Sequence, residues 1–291
     1  MQLLDGKKIA TEIQNEIREK VEELKSSSKK IPHLAAILVG SDGASETYVQ
    51  HKVKACSNVG FESSLIRLDQ DISENELLSR IESLNENTNI DGFIVQLPLP
   101  KHIDPEKIRL SIDPSKDVDG FHPTNVGKMA QGINTYLPAT PMGILELIKR
   151  YNIVTKGKHC VIVGRSQIVG SPMSILMSSA IENGNATVTL CHRFTENLEK
   201  FTREADILIV ATGIPGLITA RHVKEGAVVI DVGTTRVPDA TKRKGYRLRG
   251  DVDFESVSPK CSYITPVPGG VGPLTVTALL LNTLKAATEF K

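Results

Sequence analysis

A lysine and a tyrosine stand four residues apart in the segment SETYVQHK at 45–52. At this spacing Tyr48 and Lys52 share one face of a helix, and Ser45 lies on the same face. A lysine beside a phenol serves as a general acid or base when burial or neighbouring charges bring its pKa towards neutrality. Exposed polar pairs at this spacing are common, so spacing alone favours a surface pair over a catalytic one.

Further candidate polar side chains lie directly after an apolar run and in a later loop. Gln96 comes directly after the run at 90–95, and the loop KDVDG at 116–120 carries Asp117 and Asp119. Two carboxylates without a suitably placed third ligand do not make a metal site, so we expect no metal. A carboxylate that hydrogen-bonds an amino-heterocycle is the better functional interpretation of this loop.

A glycine-containing turn follows the apolar run at 160–163. The segment GRSQIVG at 164–170 has the pattern GxSxxxG, which departs from the GxGxxG dinucleotide fingerprint. A glycine at a strand end permits a tight turn, and the next helix offers free N–H groups to a pyrophosphate. A turn with only a structural role fits this pattern equally well.

Basic residues around this turn favour NADP over NAD. Arg165 lies in the turn, and Arg193 follows the next strand, where an NAD site usually has an acidic residue for the ribose 2′-OH. Guanidinium groups pair well with phosphate, although ordinary surface arginines are the alternative. Thr212-Gly213 and Gly233-Thr234 end the two following strands, at the sheet edge where ligands bind in α/β proteins.

Apolar periodicity predicts the elements that position these residues. Their alternation indicates an α/β fold with a parallel sheet and helices on both faces. Residues 101–138 lack periodicity and predict a functional loop or a boundary, after which Thr140 is the expected N-cap of a helix. Predicted helices span 7–25, 44–59, 74–85, 141 onward, the segment after GRSQIVGSP to about 181, 197–204 and 272–289. Predicted strands span 34–39, 63–68, 90–95, 160–163, 186–191, 206–211 and 227–232.

Composition limits the classes of protein and partner. The chain has 291 residues, 40% of them hydrophobic and 24% charged, which suits two folded domains. A net charge of +1 gives no reason to expect a nucleic-acid or membrane-surface partner, and we interpret the basic run at 242–249 as a solvated hairpin. Scattered cysteines and the absence of a signal-like or membrane-spanning apolar run predict a cytoplasmic protein.

Five motifs together resemble one family, the bifunctional methylenetetrahydrofolate dehydrogenase/methenyltetrahydrofolate cyclohydrolase enzymes. The matching segments are YVQHK at 48–52, VQLPLP at 95–100, KDVDGFHP at 116–123, GRSQIVGSP at 164–172 and ITPVPGGVGPLT at 264–275. The resemblance implies two α/β domains, the second with a Rossmann-type parallel sheet, and a C-terminal helix that returns to the first. It assigns a folate and catalytic domain to 1–138 plus 272–291 and an NADP domain to 139–271. It also implies a homodimer formed through the cofactor domains.

The same resemblance implies a role for each matching residue. Lys52 becomes the key residue of the cyclohydrolase step, Tyr48 orients the folate, Gln96 tunes the lysine, and Asp119 binds the pterin ring. Thr234-Thr235 stand where the family more often has Ile-Asn, which is expected to alter cofactor affinity. The implied folate contacts also include Leu97, Pro268, Gly269, Gly270 and Val271, and the implied NADP contacts are Gly164, Arg165, Ser166, Val169, Arg193, Thr212, Gly213 and Thr234.

The activity that the resemblance implies has two steps on tetrahydrofolate substrates. Hydride moves from 5,10-methylenetetrahydrofolate to NADP⁺, and water then opens the methenyl product to 10-formyltetrahydrofolate. The alternatives are a monofunctional dehydrogenase of the same family, another NADP oxidoreductase that shares only the Rossmann half, and a non-catalytic NADP-binding protein. The first would be signalled by a changed Lys52 or Tyr48, and both residues are present.

Overall fold

The structure is a computed structural model that describes residues 1–242 and 244–290. These residues divide into two compact units. The six-stranded unit comprises Met1–Ala10 and Thr140–Thr275, and the three-stranded unit comprises Thr11–Ala139 and the chain from Val276 onward. Within the described chain no helix combines the length and the apolar character that crossing a membrane requires.

Strands and helices alternate along the chain, as the sequence predicts. The strands are β1 (Gln2–Leu3), β2 (His33–Val39), β3 (Glu62–Leu68), β4 (Gly92–Val95), β5 (His159–Val163), β6 (Thr187–Cys191), β7 (Ile207–Val210), β8 (Val228–Asp231), β9 (Thr235–Pro238), β10 (Tyr246–Arg249) and β11 (Tyr263–Ile264). The α-helices are α1 (Gly6–Ser26), α2 (Gly43–Val59), α3 (Glu74–Glu86), α4 (Pro105–Ser111), α5 (Pro123–Ala130), α6 (Ala139–Arg150), α7 (Gly170–Ser178), α8 (Leu198–Thr202), α9 (Phe254–Val257) and α10 (Val271–Thr288), and short 3₁₀ helices cover Ala220–His222 and Ser258–Lys260.

One parallel sheet forms the centre of the six-stranded unit, with the strand order β1-β11-β8-β7-β5-β6. Strands β7 and β8 are buried along their whole length, which suits the apolar sequence of β7 and the apolar residues that precede Asp231 in β8. The chain goes from β5 to β6 on one side and then to β7 on the other. The crevice between the carboxyl ends of β5 and β7 is therefore the switch point where such sheets bind ligands. The predicted Rossmann-type sheet is confirmed.

The three-stranded unit has the same kind of topology in a smaller sheet. Its parallel sheet has the order β3-β2-β4, so the chain leaves β2 for β3 on one side and returns to β4 on the other. Its switch point lies between β2 and β4. Helix α3 packs Leu77 and Ile81 into the core, and it begins with a capping box between Ser73 and Glu76.

The C-terminal helix belongs largely to the three-stranded unit. From Val276 onward α10 is part of that unit, where the Asn282 Nδ2 group donates to the carbonyls of Val118 and Leu137, both at 2.8 Å. Gln14 Nε2 of α1 donates to Thr277 Oγ1 at 3.1 Å. The expected return of this helix to the first part of the chain is confirmed.

Three local predictions were wrong. Residues 101–138 contain α4 and α5, which have only 7 and 8 residues and so show too few apolar repeats to be recognised. Helix α6 begins at Ala139, so Thr140 lies inside it, and its hydroxyl pairs with Thr275 Oγ1 at 3.0 Å instead of capping the helix. Helix α7 ends at Ser178 rather than near 181, since Ser179 adopts an extended backbone.

The basic run forms the predicted hairpin. Strands β9 and β10 pair antiparallel, and Lys242 and Lys244 are exposed between them, while Arg243 lies outside the described residues. The cysteines Cys56, Cys160, Cys191 and Cys261 are all free and buried.

Candidate active site and dinucleotide site

The side chains of Lys52 and Gln96 meet in the three-stranded unit. Lys52 Nζ donates to Gln96 Oε1 at 3.1 Å, and both side chains are half-buried. Gln96 extends β4 by one bond, since its N–H donates to Ile37 O at 2.9 Å, which places the amide at the switch point between β2 and β4. The spacing alone favoured a surface lysine, but the structure gives Lys52 a specific partner.

The orientation of the Gln96 amide is set by its neighbour. Gln96 Nε2 donates to the carbonyl of Leu97 at 2.8 Å, which turns Oε1 towards Lys52. The hydroxyl of Ser45, 4% exposed, lies 3.4 Å from the same carbonyl and 2.8 Å from Asp42 Oδ2. Asp42 is also the N-cap of α2, so one carboxylate fixes both the start of the helix and Ser45.

Two large side chains of the predicted site remain exposed in this unit. Tyr48 is 49% exposed and Leu97 is 45% exposed. His51 and Lys54, on the same helix, are exposed. Apolar side chains beside a few half-buried polar groups are typical of a small-molecule site.

The two acids of the loop at 116–120 have different environments. Asp117 is 4% exposed and accepts from His122 N at 2.7 Å and from Asn125 Nδ2 at 2.9 Å. Burial raises the pKa of Asp117 to about 6. Asp119 is only half-buried. Asp117 is therefore structural, and Asp119 is the acid that remains accessible to a ligand.

Strand β4 positions this loop. Phe93 N donates to Lys116 O at 3.0 Å, and Phe93 forms a parallel bridge with Asp117. Gly120 turns the chain with φ +73°, and a Cβ there would lie 2.6 Å from the carbonyl carbon of Leu137. Among the described residues no hydrogen bond joins Asp119 to Lys52 or Gln96, so Asp119 and Gln96 are linked through their common support, β4.

The glycine turn at the end of β5 packs tightly against neighbouring backbone in the six-stranded unit. Gly164 has φ +118°, and a Cβ there would lie 2.1 Å from Ala211 O. A Cβ on Gly170 would lie 1.9 Å from Gly164 O. Ser166 Oγ accepts from Val169 N at 3.2 Å, and Val169 itself is buried. Strand end and helix start are packed too closely for larger residues, as a dinucleotide loop requires.

The loop after β7 is fixed by a buried acid that the sequence analysis missed. Asp251 Oδ2 accepts from Thr212 N at 2.6 Å, Thr212 Oγ1 at 3.0 Å and Gly213 N at 2.9 Å. Its other oxygen, Oδ1, is buried without a hydrogen-bond partner within the described chain. Asp231 Oδ1 accepts from Asp251 N at 3.0 Å, and burial raises the pKa of Asp231 to about 6. Asp251 thus anchors Thr212 and Gly213, which follow β7.

The two predicted arginines lie at equivalent positions of neighbouring strands. Val163 pairs with Cys191 in the sheet, and each arginine follows its strand-end residue by two. Arg165 and Arg193 are both exposed, and both guanidinium groups lie over the ring of Phe194, at 5.7 and 4.7 Å from its centroid. The structure therefore brings together the two cations, which suits the 2′-phosphate of NADP.

The remaining predicted residues also belong to the six-stranded unit. Thr234 is exposed after β8, and the neighbouring Thr235 Oγ1 donates to Gly213 O at 3.3 Å. In the turn Pro268–Val271, Gly269 has φ +109° and its carbonyl accepts from Lys7 N at 3.1 Å. The folate contact assigned to this turn stays a prediction. Within residues 1–242 and 244–290, no group of His, Cys, Asp and Glu side chains is arranged to bind a metal.

Asp231, Asp251 and Phe194 could not all be found from one sequence. Asp231 gave a usable signal, because an acid ends the otherwise apolar strand VVID. Asp251 and Phe194 lie in loops, and no periodicity marks loop residues that act through tertiary contacts.

Comparisons with known proteins identify the family of the chain. The family model for the tetrahydrofolate dehydrogenase/cyclohydrolase catalytic domain matches residues 4–119, and the model for its NAD(P)-binding domain matches residues 138–291. The bifunctional protein FolD of Flavobacterium psychrophilum is 60% identical over 291 residues, which cover 100% of this chain and 99% of the relative.

Solved structures match over nearly the whole chain. The bifunctional FolD enzyme of Campylobacter jejuni has a TM-score of 0.93 and 48% identity, with 99% of this chain and 98% of that chain covered. The Trypanosoma brucei dehydrogenase-cyclohydrolase, solved with NADP and an inhibitor, has a TM-score of 0.92 and 39% identity, with 97% and 96% covered. The resemblance inferred from the sequence motifs is confirmed, and the chain belongs to the tetrahydrofolate dehydrogenase/cyclohydrolase family.

Proposed function

We propose that the protein oxidises 5,10-methylenetetrahydrofolate with NADP⁺ and then hydrolyses the methenyl product to 10-formyltetrahydrofolate. Membership of the bifunctional family over the full length of the chain supports both steps. The contact between Lys52 Nζ and Gln96 Oε1, at 3.1 Å, is the observation that carries the second step. It gives the three-stranded unit a positioned amine within a half-buried site, as proton transfer requires.

Lys52 carries out proton transfer in the hydrolysis. Water adds to the methenyl carbon and loses one proton. The resulting hydroxyl then loses its second proton and becomes the formyl oxygen as the bond from that carbon to N5 breaks and N5 gains a proton. Lys52 Nζ accepts and returns a proton in these steps, and one proton is released overall. Gln96 suits this role because its amide cannot ionise, so it orients Nζ without forming an ion pair that would fix the ammonium form.

The folate ring is bound by other groups of the same unit. The exposed faces of Tyr48 and Leu97 offer apolar contact to a flat ring, and the accessible carboxylate of Asp119 accepts from the amino groups of the pterin. Asp117 and Gly120 support this placement, because they fix the loop from which Asp119 projects.

The six-stranded unit binds NADP at the switch point of its sheet. When bound, NADP⁺ accepts the hydride of the first step at C4 of its nicotinamide. The closely packed glycine turn presents the free N–H groups at the start of α7 to the pyrophosphate, and the paired arginines receive the 2′-phosphate. The proposed contacts are Gly164, Arg165, Ser166, Val169, Arg193, Thr212, Gly213 and Thr234.

We assign the folate chemistry to residues 1–138 with 272–291 and cofactor binding to 139–271, with Met1–Ala10 packed on the cofactor sheet. The enzyme acts as a homodimer in the cytoplasm, without a nucleic-acid partner. Four free, buried cysteines fit a reducing compartment, and a net charge of +1 gives no attraction for nucleic acid.

The test supplies purified protein with methylenetetrahydrofolate and either NADP⁺ or NAD⁺, and separates the quenched products. The expected result is NADPH formation matched by 10-formyltetrahydrofolate, with NADP⁺ preferred. Methenyltetrahydrofolate as the final product would indicate a monofunctional dehydrogenase. No turnover with either cofactor would favour a non-catalytic NADP-binding protein.

A further inference from the structure

An exposed phenylalanine follows the second strand of the cofactor sheet. Phe194 is 65% exposed and lies in the turn 192–195 after β6. His192 N donates to Thr195 Oγ1 at 2.9 Å, and Thr195 N donates back to His192 O at 2.8 Å. Phe194 N donates to His192 Nδ1 at 3.2 Å, and the two rings pack edge to face at 6.1 Å. The turn therefore fixes the direction of an apolar ring that points into solvent.

Two cations share this ring. Arg165 lies 5.7 Å and Arg193 4.7 Å from the ring centroid, both within the range of a cation–π contact. Within the described part of the chain neither guanidinium forms an ion pair with an acid. The repulsion between the two like charges is therefore not offset by a carboxylate. The electron-rich face of the ring offsets part of it.

The backbone brings the two arginines to this ring. Gly164 N donates to Cys191 O at 2.8 Å, which links the turn after β5 to the end of β6. Arginine side chains lose rotamer freedom when they are fixed. A ring that already restricts both side chains lowers the cost of fixing them around an anion.

We propose that Phe194 is a positioning residue that determines the preference for NADP over NAD. It acts through Arg165 and Arg193 by keeping both guanidinium groups ready for the 2′-phosphate dianion. The inference rests on the proposed function, because it takes the end of β6 to be the site of the adenosine ribose. It adds a residue without charge to the recognition of a charged group.

The test replaces the ring while the charges stay. Phe194→Leu keeps an apolar side chain but removes the aromatic face. Phe194→Tyr, made separately, retains that face. We expect Phe194→Leu to raise the KM for NADP⁺ by about threefold to tenfold, with a change of less than about twofold in the KM for NAD⁺. Phe194→Tyr is expected to have a KM for NADP⁺ within about twofold of the wild-type value.

Inhibition by nucleotide fragments provides the direct binding measurement. Adenosine 2′,5′-bisphosphate and AMP differ by the 2′-phosphate alone, so Phe194→Leu should weaken inhibition by the first and leave inhibition by the second unchanged. Equal weakening of both fragments overturns the inference and makes Phe194 a stacking surface for adenine. Unchanged inhibition by both also overturns it. If the wild-type protein itself does not prefer NADP⁺, the proposed cofactor specificity fails, which is a separate outcome visible before any variant is made.

Discussion

Lys52 on α2 and Gln96 at the end of β4 are joined by a hydrogen bond of 3.1 Å across 44 residues of sequence. Gln96 donates in turn to Leu97 O at 2.8 Å, so its oxygen has one direction available, towards the lysine. This arrangement makes a neutral acceptor the partner of the amine that we assign to proton transfer. The charge of residue 96 therefore becomes a sensitive test of the mechanism.

Gln96→Glu is expected to lower the cyclohydrolase rate by about a hundredfold or more, because an ion pair would fix Lys52 as an ammonium ion. The new carboxylate would also face the carbonyl of Leu97 where the amide now donates. The rate of methenyltetrahydrofolate hydrolysis, measured without cofactor, checks this. Gln50→Glu, an exposed position on α2, adds the same charge as a control. A Gln96→Glu enzyme as fast as the wild type would remove the argument for a neutral partner.

Gly164→Ala is expected to raise the KM for NADP⁺ about tenfold or more, because the new Cβ would collide with the backbone of the next strand. The position has φ +118°, and the Cβ would lie 2.1 Å from Ala211 O. Cofactor-free hydrolysis of methenyltetrahydrofolate should change much less. Steady-state kinetics of both reactions measures the contrast.

The matched control for this glycine is Gly157→Ala. Gly157 also has a left-handed backbone, φ +73°, but nothing lies within 4 Å of an added Cβ. It should cost about 1 kcal/mol in the free energy of unfolding and leave the KM for NADP⁺ unchanged. Equal effects of the two substitutions on KM would show that backbone strain, and not lost space, governs cofactor binding.

The buried carboxyl of Asp117 predicts a pH dependence of stability. Burial raises its pKa from 3.8 to about 6, so between these values the native state binds more protons than the unfolded chain. The stabilising contribution of the protonated form is present below about pH 4 and is lost as the pH rises through about 6. The shift of about two pH units corresponds to about 3 kcal/mol.

Asp117→Asn removes this titration. From about pH 4 to about pH 6, the difference in free energy of unfolding between wild type and variant should move by about 3 kcal/mol in favour of the variant, and it should stay constant above. Urea unfolding at a series of pH values measures the difference. A difference that is independent of pH would contradict a raised pKa, and one that grows in favour of the wild type would reverse its sign.

The sequence predicts well those features that repeat along the chain or cluster within a motif. The parallel sheets, the helix that carries Tyr48 and Lys52, and the strand end that carries Gln96 all follow from periodicity. Their meeting does not, because a contact across 44 residues depends on the order β3-β2-β4. The helices α4 and α5 were missed because two turns are too short for a pattern.

The residues that hold the cofactor site in place were harder to predict from the sequence. Asp251 anchors Thr212 from 39 residues away, and nothing in its local sequence marks it as buried. Phe194 was passed over because an aromatic residue in a polar loop has no distinctive pattern. Arg165 and Arg193 were found because their charge contradicts what an NAD site requires, whereas the ring beneath them carries no charge.

The central claim is that one chain catalyses both steps and that Lys52 performs the second. The most direct test is the ratio of methenyl- to 10-formyltetrahydrofolate formed from methylenetetrahydrofolate and NADP⁺ by Lys52→Met, compared with Lys54→Met, which makes the same change at an exposed position of the same helix. We predict that Lys54→Met gives 10-formyltetrahydrofolate as the wild type does, while Lys52→Met binds folate but cannot hydrolyse the methenyl product. Formation of 10-formyltetrahydrofolate by Lys52→Met at the wild-type rate would contradict the account.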